Sequence, residues 1–419
     1  MSNTNSKVID YEGLKALKQA IEEEKGNLVG FTSVDDKGKP LKVWNNVEAV
    51  MNCNRINARF NEVSKEVEVL GCPSQKLDDT IMDIHTLCQD AGLKVDTNFI
   101  GLSVNRIASK NSYNPVTTYL DECYGNWNGE KGRIDQVLDS ITFREDVDRF
   151  FAKKLIRKWL VQTVMIAYNK GKDKTQGILI FHGEQGLGKT TWISELIPEE
   201  LWEYFQEGKD LDIKDKDKLF SLISNWIVEL GEIDGSMKQE QAKLKAFTTQ
   251  SNDQLRRPYA KSHDTYPRTT SFFGTVNKDE FLKDETGSRR YWIVPVVDLK
   301  RDYITQVELK EFWGEVMHLW KNKEEVPYLD RLETKELSKK NEEFNTTTAT
   351  HANIQNRFKW EAPKDEWEWM AYSAIIGHCG LKTGGATLKK VLADLNIEYK
   401  RSNGSKYLMP PLSHNIPNI

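Results

Sequence analysis

The stretch GILIFHGEQGLGKTTW, residues 177–192, constrains this chain more than any other. Ile178, Leu179, Ile180 and Phe181 form a short, apolar, β-favouring run that suits a buried strand. The pattern Gly183-x-x-x-x-Gly188-Lys189-Thr190 follows at once, and TTWISELI after it can start a helix. Strand, glycine loop and helix in that order form the context a phosphate-binding loop needs. Glycines let the backbone curl until several N–H groups face one anion. The helix N-terminus adds the positive end of its dipole. On this reading Gly183, Glu184, Gln185, Gly186, Leu187, Gly188, Lys189, Thr190 and Thr191 cradle a nucleoside triphosphate. Lys189 reaches the β- and γ-phosphates, and Thr190 holds Mg²⁺ through its hydroxyl. The bland alternative is a glycine-rich turn, and the flanking elements weigh against it.

Composition sets outer limits. At 419 residues the chain has room for two to four domains. No apolar run approaches the roughly 18 residues of a membrane span, and MSNTNSKVIDYEGLK lacks the apolar core of a signal peptide. The expected location is the cytoplasm, without a membrane partner. Five cysteines with no C-x-x-C pair argue for reduced thiols, against a zinc site or a disulfide framework. A net charge of −4 requires any nucleic-acid surface to be a local patch.

Periodicity supplies the organisation. Residues 11–25 place Leu14, Leu17 and Ile21 on one helical face, and RINARFNEVSKEVEVLG suggests a hairpin in a small α+β region, 1–112. Pro115 and YGNWNGEKG break the chain, and a helical segment, 113–170, leads into the next domain. Within it, residues 144–168 read as one amphipathic helix with Val147, Phe150, Phe151, Leu155, Trp159 and Val164 as a core-facing stripe. From 171 to 325 helical and apolar runs alternate, which points to an α/β core with a mainly parallel sheet. Three of the runs close on polar residues, His182, Glu229 to Glu232, and Asn277. Ligands bind at such strand ends. A charged helix, KQEQAKLKAF, is expected between two of them. A polar linker, 326–364, reads as a helix plus a mobile connector. The tail, 365–419, gives two helical patterns, DEWEWMAYSAIIGHCG and GATLKKVLADLN, then two short strands around Asn403-Gly404. Helix–helix–hairpin at this size resembles a winged helix.

A P-loop that hydrolyses its nucleotide needs a carboxylate to orient water and a second group to sense the γ-phosphate. WIVELGEID supplies Glu229, Glu232 and Asp234 at a strand end. Glu232 stands where a catalytic base belongs, and Glu229 can hold Mg²⁺ or its waters; a solvated acidic turn is the competing reading. Asn277 is placed to touch the γ-phosphate or the attacking water, or else simply forms a turn. Arg289 and Arg290, in TGSRRYW, suggest an arginine finger given to a neighbouring subunit, against an ordinary exposed pair. Between the strands, Arg256, Arg257, Tyr259, Lys261, His263, Tyr266 and Arg268 mix cations with aromatics around a hairpin. That mixture suits a single nucleic-acid strand, or a solvated hairpin.

The succession of P-loop, ELGEID, RRPYAK…YPR, GTVN and TGSRRYW resembles the virulence-associated protein E family of phages and mobile islands. That family looks like the superfamily III helicases within the AAA+ ATPases. YNPVTTYLDECYGNWNGEKGRIDQVL is also similar to the segment before its ATPase domain, so the likeness covers about 113–295. Gly183, Gly186, Gly188, Lys189 and Thr190 match its Walker A motif, Glu229 and Glu232 its Walker B region, Asn277 its sensor. Arg289 and Arg290 match its finger region, and Lys261 with its neighbours the DNA-facing hairpin. Two features depart from the pattern: the acids are Glu-x-x-Glu, not adjacent, and Asn128 stands where Asp is frequent. The resemblance implies ATP and Mg²⁺, a hexameric ring, and ATP-driven unwinding of DNA for replication. Implied partners are single-stranded DNA, other replication proteins such as a primase, and duplex origin DNA if the C-terminal domain does more than brace the ring. Two other classes stay open: a DNA-binding initiator or regulator that uses ATP only to assemble, and a P-loop kinase for a small molecule.

Overall fold

The computed structural model describes residues 29–74, 76–209, 215–231, 247, 250–255, 264–277, 281–282, 288–300, 306–344, 346–381, 386–401 and 404–413. The helix expected at 11–25, and all but Phe247 of KQEQAKLKAF, lie outside these residues. The chain divides into two compact units, one ending at Thr118 and one beginning at Tyr119.

In the first unit, helices α1 (Trp44–Cys53), α2 (Leu77–Asp90) and α3 (Thr97–Lys110) pack on a sheet of β1 (Asn57–Asn61), β2 (Val67–Leu70) and β3 (Ser112–Tyr113). β1 and β2 form the expected hairpin, and β3 joins β1 in parallel. Val50, Ile84, Ile100 and Val104 fill the core between helices and sheet.

Pro115, expected to break the chain, instead opens α4 (Pro115–Asn126). A proline suits a first helical turn, where its missing N–H would have had no intrahelical partner. After α5 (Arg133–Asp139) and β4 (Ile141–Phe143) comes α6 (Arg149–Ala167), shorter than expected because Asp148 caps it. The Asp148 carboxylate accepts N–H bonds from Phe150 and Phe151. Phe151, Leu155, Trp159 and Val164 are buried as the stripe requires, but Phe150 is 90% exposed and Val147 precedes the helix. Phe150 sits one residue, about 100°, off the buried line.

The second unit is mixed α/β. Its sheet takes β5 (Ile178–His182), then, after α7 (Lys189–Ser194), β6 (Phe205–Lys209). Beyond α8 (Lys216–Ile223) come β7 (Ile227–Leu230), a hairpin of β8 (Asn252–Leu255) and β9 (Asp264–Pro267), then β10 (Ser271–Val276) and β11 (Tyr291–Leu299). The order across the sheet is β4-β11-β5-β10-β7-β6. β4 is antiparallel; the other five are parallel. All five residues of β5 are buried, as expected of a strand covered on both faces. α6 lies across β5, β10 and β11, where the Trp159 indole donates to the Phe272 carbonyl at 2.9 Å. α9 (Leu309–Lys321) packs on α6 and is followed by α10 (Arg331–Lys340).

α9 also explains the segment around Asn128. The buried Glu315 carboxylate accepts N–H bonds from Gly132, Arg133 and Ile134 at 3.0, 2.7 and 3.0 Å, capping α5 from another helix. Asn128 Oδ1 accepts the Glu130 N–H at 2.7 Å, a bond an Asp in its place would also accept. Glu315→Ala should cost about 3 kcal/mol, because it strands several N–H groups at once. A urea midpoint lowered at unchanged slope checks this; a shift worth under about 1 kcal/mol would mean that water replaces the carboxylate.

The C-terminal region comprises α11 (Thr346–Arg357), β12 (Glu368–Ala371), α12 (Tyr372–His378), α13 (Ala386–Asp394), β13 (Tyr399–Arg401) and β14 (Ser405–Met409). The linker therefore carries two helices, α10 and α11, on either side of residue 345. DEWEWMAYSAIIGHCG is not one helical pattern: its first half is β12, paired antiparallel with β14, and the helix starts at Tyr372. Ile354, Ile375, Leu388, Leu392 and Met409 share one apolar cluster.

Candidate functional site

Parallel register brings three strand ends together. Val276 of β10 is level with His182 of β5, and Gly274 with Leu230 of β7. The loop after β5, Asn277 after β10 and the end of β7 therefore meet at one edge of the sheet.

The loop's glycines each answer a backbone demand. Gly186 and Gly188 have φ of 88° and 74°, the left-handed region that side chains disfavour. A Cβ on Gly183 would stand 2.3 Å from the Val296 carbonyl oxygen. Glu184 and Gln185 are exposed, Leu187 and Thr191 half-buried, and Gly188 caps α7.

Lys189, the first residue of α7, is only 6% exposed. Its Nζ donates to the Gly183 carbonyl at 2.7 Å, the Glu184 carbonyl at 2.6 Å and Asn277 Oδ1 at 2.6 Å. Burial pushes its pKa below the ordinary lysine value, while the Glu229 charge pulls it upward. The charged form is the one that attracts phosphate. ADP affinity should therefore hold level just above neutral pH and fall as pH rises through the lowered pKa of the free site, before the ordinary lysine value of 10.5. Calorimetric titration across the alkaline range checks the onset, with Lys189→Ala expected to show a weak and flat profile.

Thr190 Oγ1 donates to Glu229 Oε1 at 2.7 Å. Glu229 is buried and also accepts from Thr275 Oγ1 at 3.0 Å and the Gly208 N–H at 3.2 Å. Sequence reasoning missed both of these supports. Thr275 carries a signal, since it stands on β10 two residues before Asn277, the spacing that turns two side chains the same way. Gly208 carries none.

Lys189, Thr190, Glu229 and Asn277 are thus brought together; Arg289 and Arg290 are not. They form a short 3₁₀ turn just before β11. Tyr291 is level with Ile178 and Pro295 with His182, so the arginines lie at the opposite edge of the sheet. Five strand residues at about 3.3 Å each separate the edges by about 16 Å. There they line a cleft of about 240 Å³ with Thr175, Gln176 and Trp292.

Glu232, Asp234, Arg256, Arg257, Tyr259, Lys261 and His263 lie outside the described residues. Arg268 is a correction. It was expected to face DNA, but it is 0% exposed, stacks on Phe247 and pairs with Asp253 of β8, its Nε lying 2.9 Å from Oδ2. It anchors the root of the β8–β9 hairpin, and Tyr266 beside it is buried as well.

The model of the virulence-associated protein E-like domain matches residues 120–346. The chain belongs to this family. Among solved structures it is similar to the apo structure of the NrS-1 C terminal region (305-718), at 13% identity and a TM-score of 0.46, over 88% of this chain and 98% of that one. An A form of the same region matches at 12% identity and a TM-score of 0.48, over 89% of this chain and 100% of that one. No curated protein matches. Among the described residues, no helix is long and apolar enough to cross a membrane.

Proposed function

We propose that this chain is an ATP-hydrolysing motor for DNA replication of a phage or mobile element, built on a P-loop AAA+ core of the superfamily III helicase kind. The observation that carries the reading is the joining of Lys189, Asn277, Thr190 and Glu229 at the carboxyl ends of three adjacent parallel strands. Counted from β5, the parallel strands run fifth, first, fourth, third, second across the sheet, which supports the AAA+ assignment. Family membership points the same way.

The residues present fit Mg²⁺-ATP. Two left-handed glycines and a third with no room for a Cβ shape a backbone cradle. A buried ammonium stands at its end. A hydroxyl and a carboxylate, Thr190 and Glu229, already in contact, form a hard oxygen pair of the type Mg²⁺ takes, with Glu232 nearby in sequence. The bound ion would neutralise charge on the β- and γ-phosphates. Lys189 binds the phosphates, Glu232 takes a proton from the attacking water, and Asn277 links Lys189 to the state of the γ-phosphate. The basic segment in sequence between β8 and β9, Lys261 with Arg256 and Arg257, contacts single-stranded DNA in the ring. The C-terminal region, read as winged-helix-like, braces that ring or binds DNA.

Arg289 and Arg290 stand too far from their own chain's phosphate loop to stabilise its transition state. They act on the next protomer of a head-to-tail ring. The test mixes two inactive variants, Lys189→Ala and the double variant Arg289→Ala/Arg290→Ala. Sites that pair an intact lysine with a neighbour's intact arginines recover about a quarter of wild-type turnover in an equal random mixture. No recovery on mixing would sink the shared site.

A further inference from the structure

The sheet β12–β14–β13 has two unlike sides. Tyr407 and Met409 turn into the apolar cluster with Ile375 and Leu392. Alternation puts a different set on the other side: Trp369 level with Leu408, and Ala371, Lys406 and Lys400 in one row. Trp369 is 37% exposed, and Lys400 Nζ sits 3.8 Å from its ring centroid. Arg401 ends β13, and alternation puts it on the opposite side. Lys400, Arg401 and Lys406 form no ion pair among the described residues, and neither does the exposed Glu398 two positions before Lys400.

We propose that this outer face binds single-stranded nucleic acid, with a base on Trp369 and the adjoining phosphates on Lys400 and Lys406. A cation over an exposed ring is held less strongly than a stacked base. An incoming base therefore displaces Lys400 from the indole, and the freed ammonium meets the phosphate that arrives with that base. Ala371 leaves the row beside Lys406 open for the backbone. A duplex keeps its bases stacked on one another and has none to give an indole on a flat sheet. The contact uses neither Lys189 nor nucleotide, so it goes beyond the ATPase reading and does not rest on it.

The test is fluorescence anisotropy of the full chain with a labelled oligothymidylate, without nucleotide, repeated in the Lys189→Ala background. Trp369→Ala should raise Kd about tenfold in both backgrounds, and Trp369→Phe should restore most of the affinity. Lys400→Ala/Lys406→Ala should flatten the slope of log K against log salt by about 1.4, or about 0.7 for each lost phosphate contact. Unchanged Kd and slope in these variants overturn the proposal. So does a duplex of equal length that binds as tightly and is indifferent to Trp369. Oligothymidylate binding that responds as expected, in a wild-type chain that shows no ATP turnover, would uphold this site and sink the motor.

Discussion

Lys189→Ala is expected to lower steady-state ATP turnover by about 10²–10³-fold or more, the loss that follows removal of one preorganised donor aimed at developing charge. Lys189 Nζ is held by three oxygens within 2.7 Å, two of them carbonyls of the glycine loop and the third the Asn277 side chain. The ammonium is therefore already fixed between the loop and the end of β10 before any phosphate arrives. Little positional entropy remains to be lost at the reaction step. Arginine should not rescue it: three acceptors around one nitrogen suit a tetrahedral ammonium, whereas a planar fork needs its acceptors spread apart. The fold should tolerate the change, since Glu184, Gln185 and Gly186 are exposed and water can reach the released carbonyls. Phosphate-release kinetics beside a thermal melt separate the two effects. Turnover within tenfold of wild type, in a folded Lys189→Ala protein, would contradict the role.

Arg268→Ala should cost stability instead, by about 3–5 kcal/mol, because it leaves Asp253 charged and unpaired in the interior. The guanidinium is fully buried and holds Asp253 through two nitrogens, the Phe247 carbonyl through a third, and the Phe247 ring through its face. Removing both charges is milder than removing one. Arg268→Met with Asp253→Leu should therefore recover much of what Arg268→Ala loses, and that ordering distinguishes an ion-pair anchor from a residue that matters for its volume alone. Denaturant melts of the three proteins read it directly. DNA affinity, corrected for the folded fraction, should not change. A variant melting like wild type with weakened DNA binding would return Arg268 to the DNA-facing set.

These two residues mark what the sequence could and could not disclose. The P-loop is legible because its chemistry is local: three glycines, a lysine and a threonine within eight positions, between an apolar run and a helix. The strand ends Glu229 and Asn277 were also legible, since short apolar runs closing on polar residues are local patterns. Their meeting was not. It depends on β10 lying between β5 and β7, an order that spacing along the chain does not encode. Arg268 misled for the same reason. A cation in a charged hairpin looks solvent-facing until Asp253, fifteen positions earlier and on the paired strand, is brought beside it. Likewise Trp369 and Met370 fit a helical pattern as well as a strand, and only pairing with β14 decides between them.

The central claim is that the site turns over ATP in response to DNA. Its most direct test is steady-state ATP hydrolysis with and without single-stranded DNA, with Lys189→Ala as the blank. DNA should stimulate turnover strongly, and turnover should vanish in the variant. Turnover indifferent to DNA, or none above the blank under conditions where the protein assembles, would contradict it.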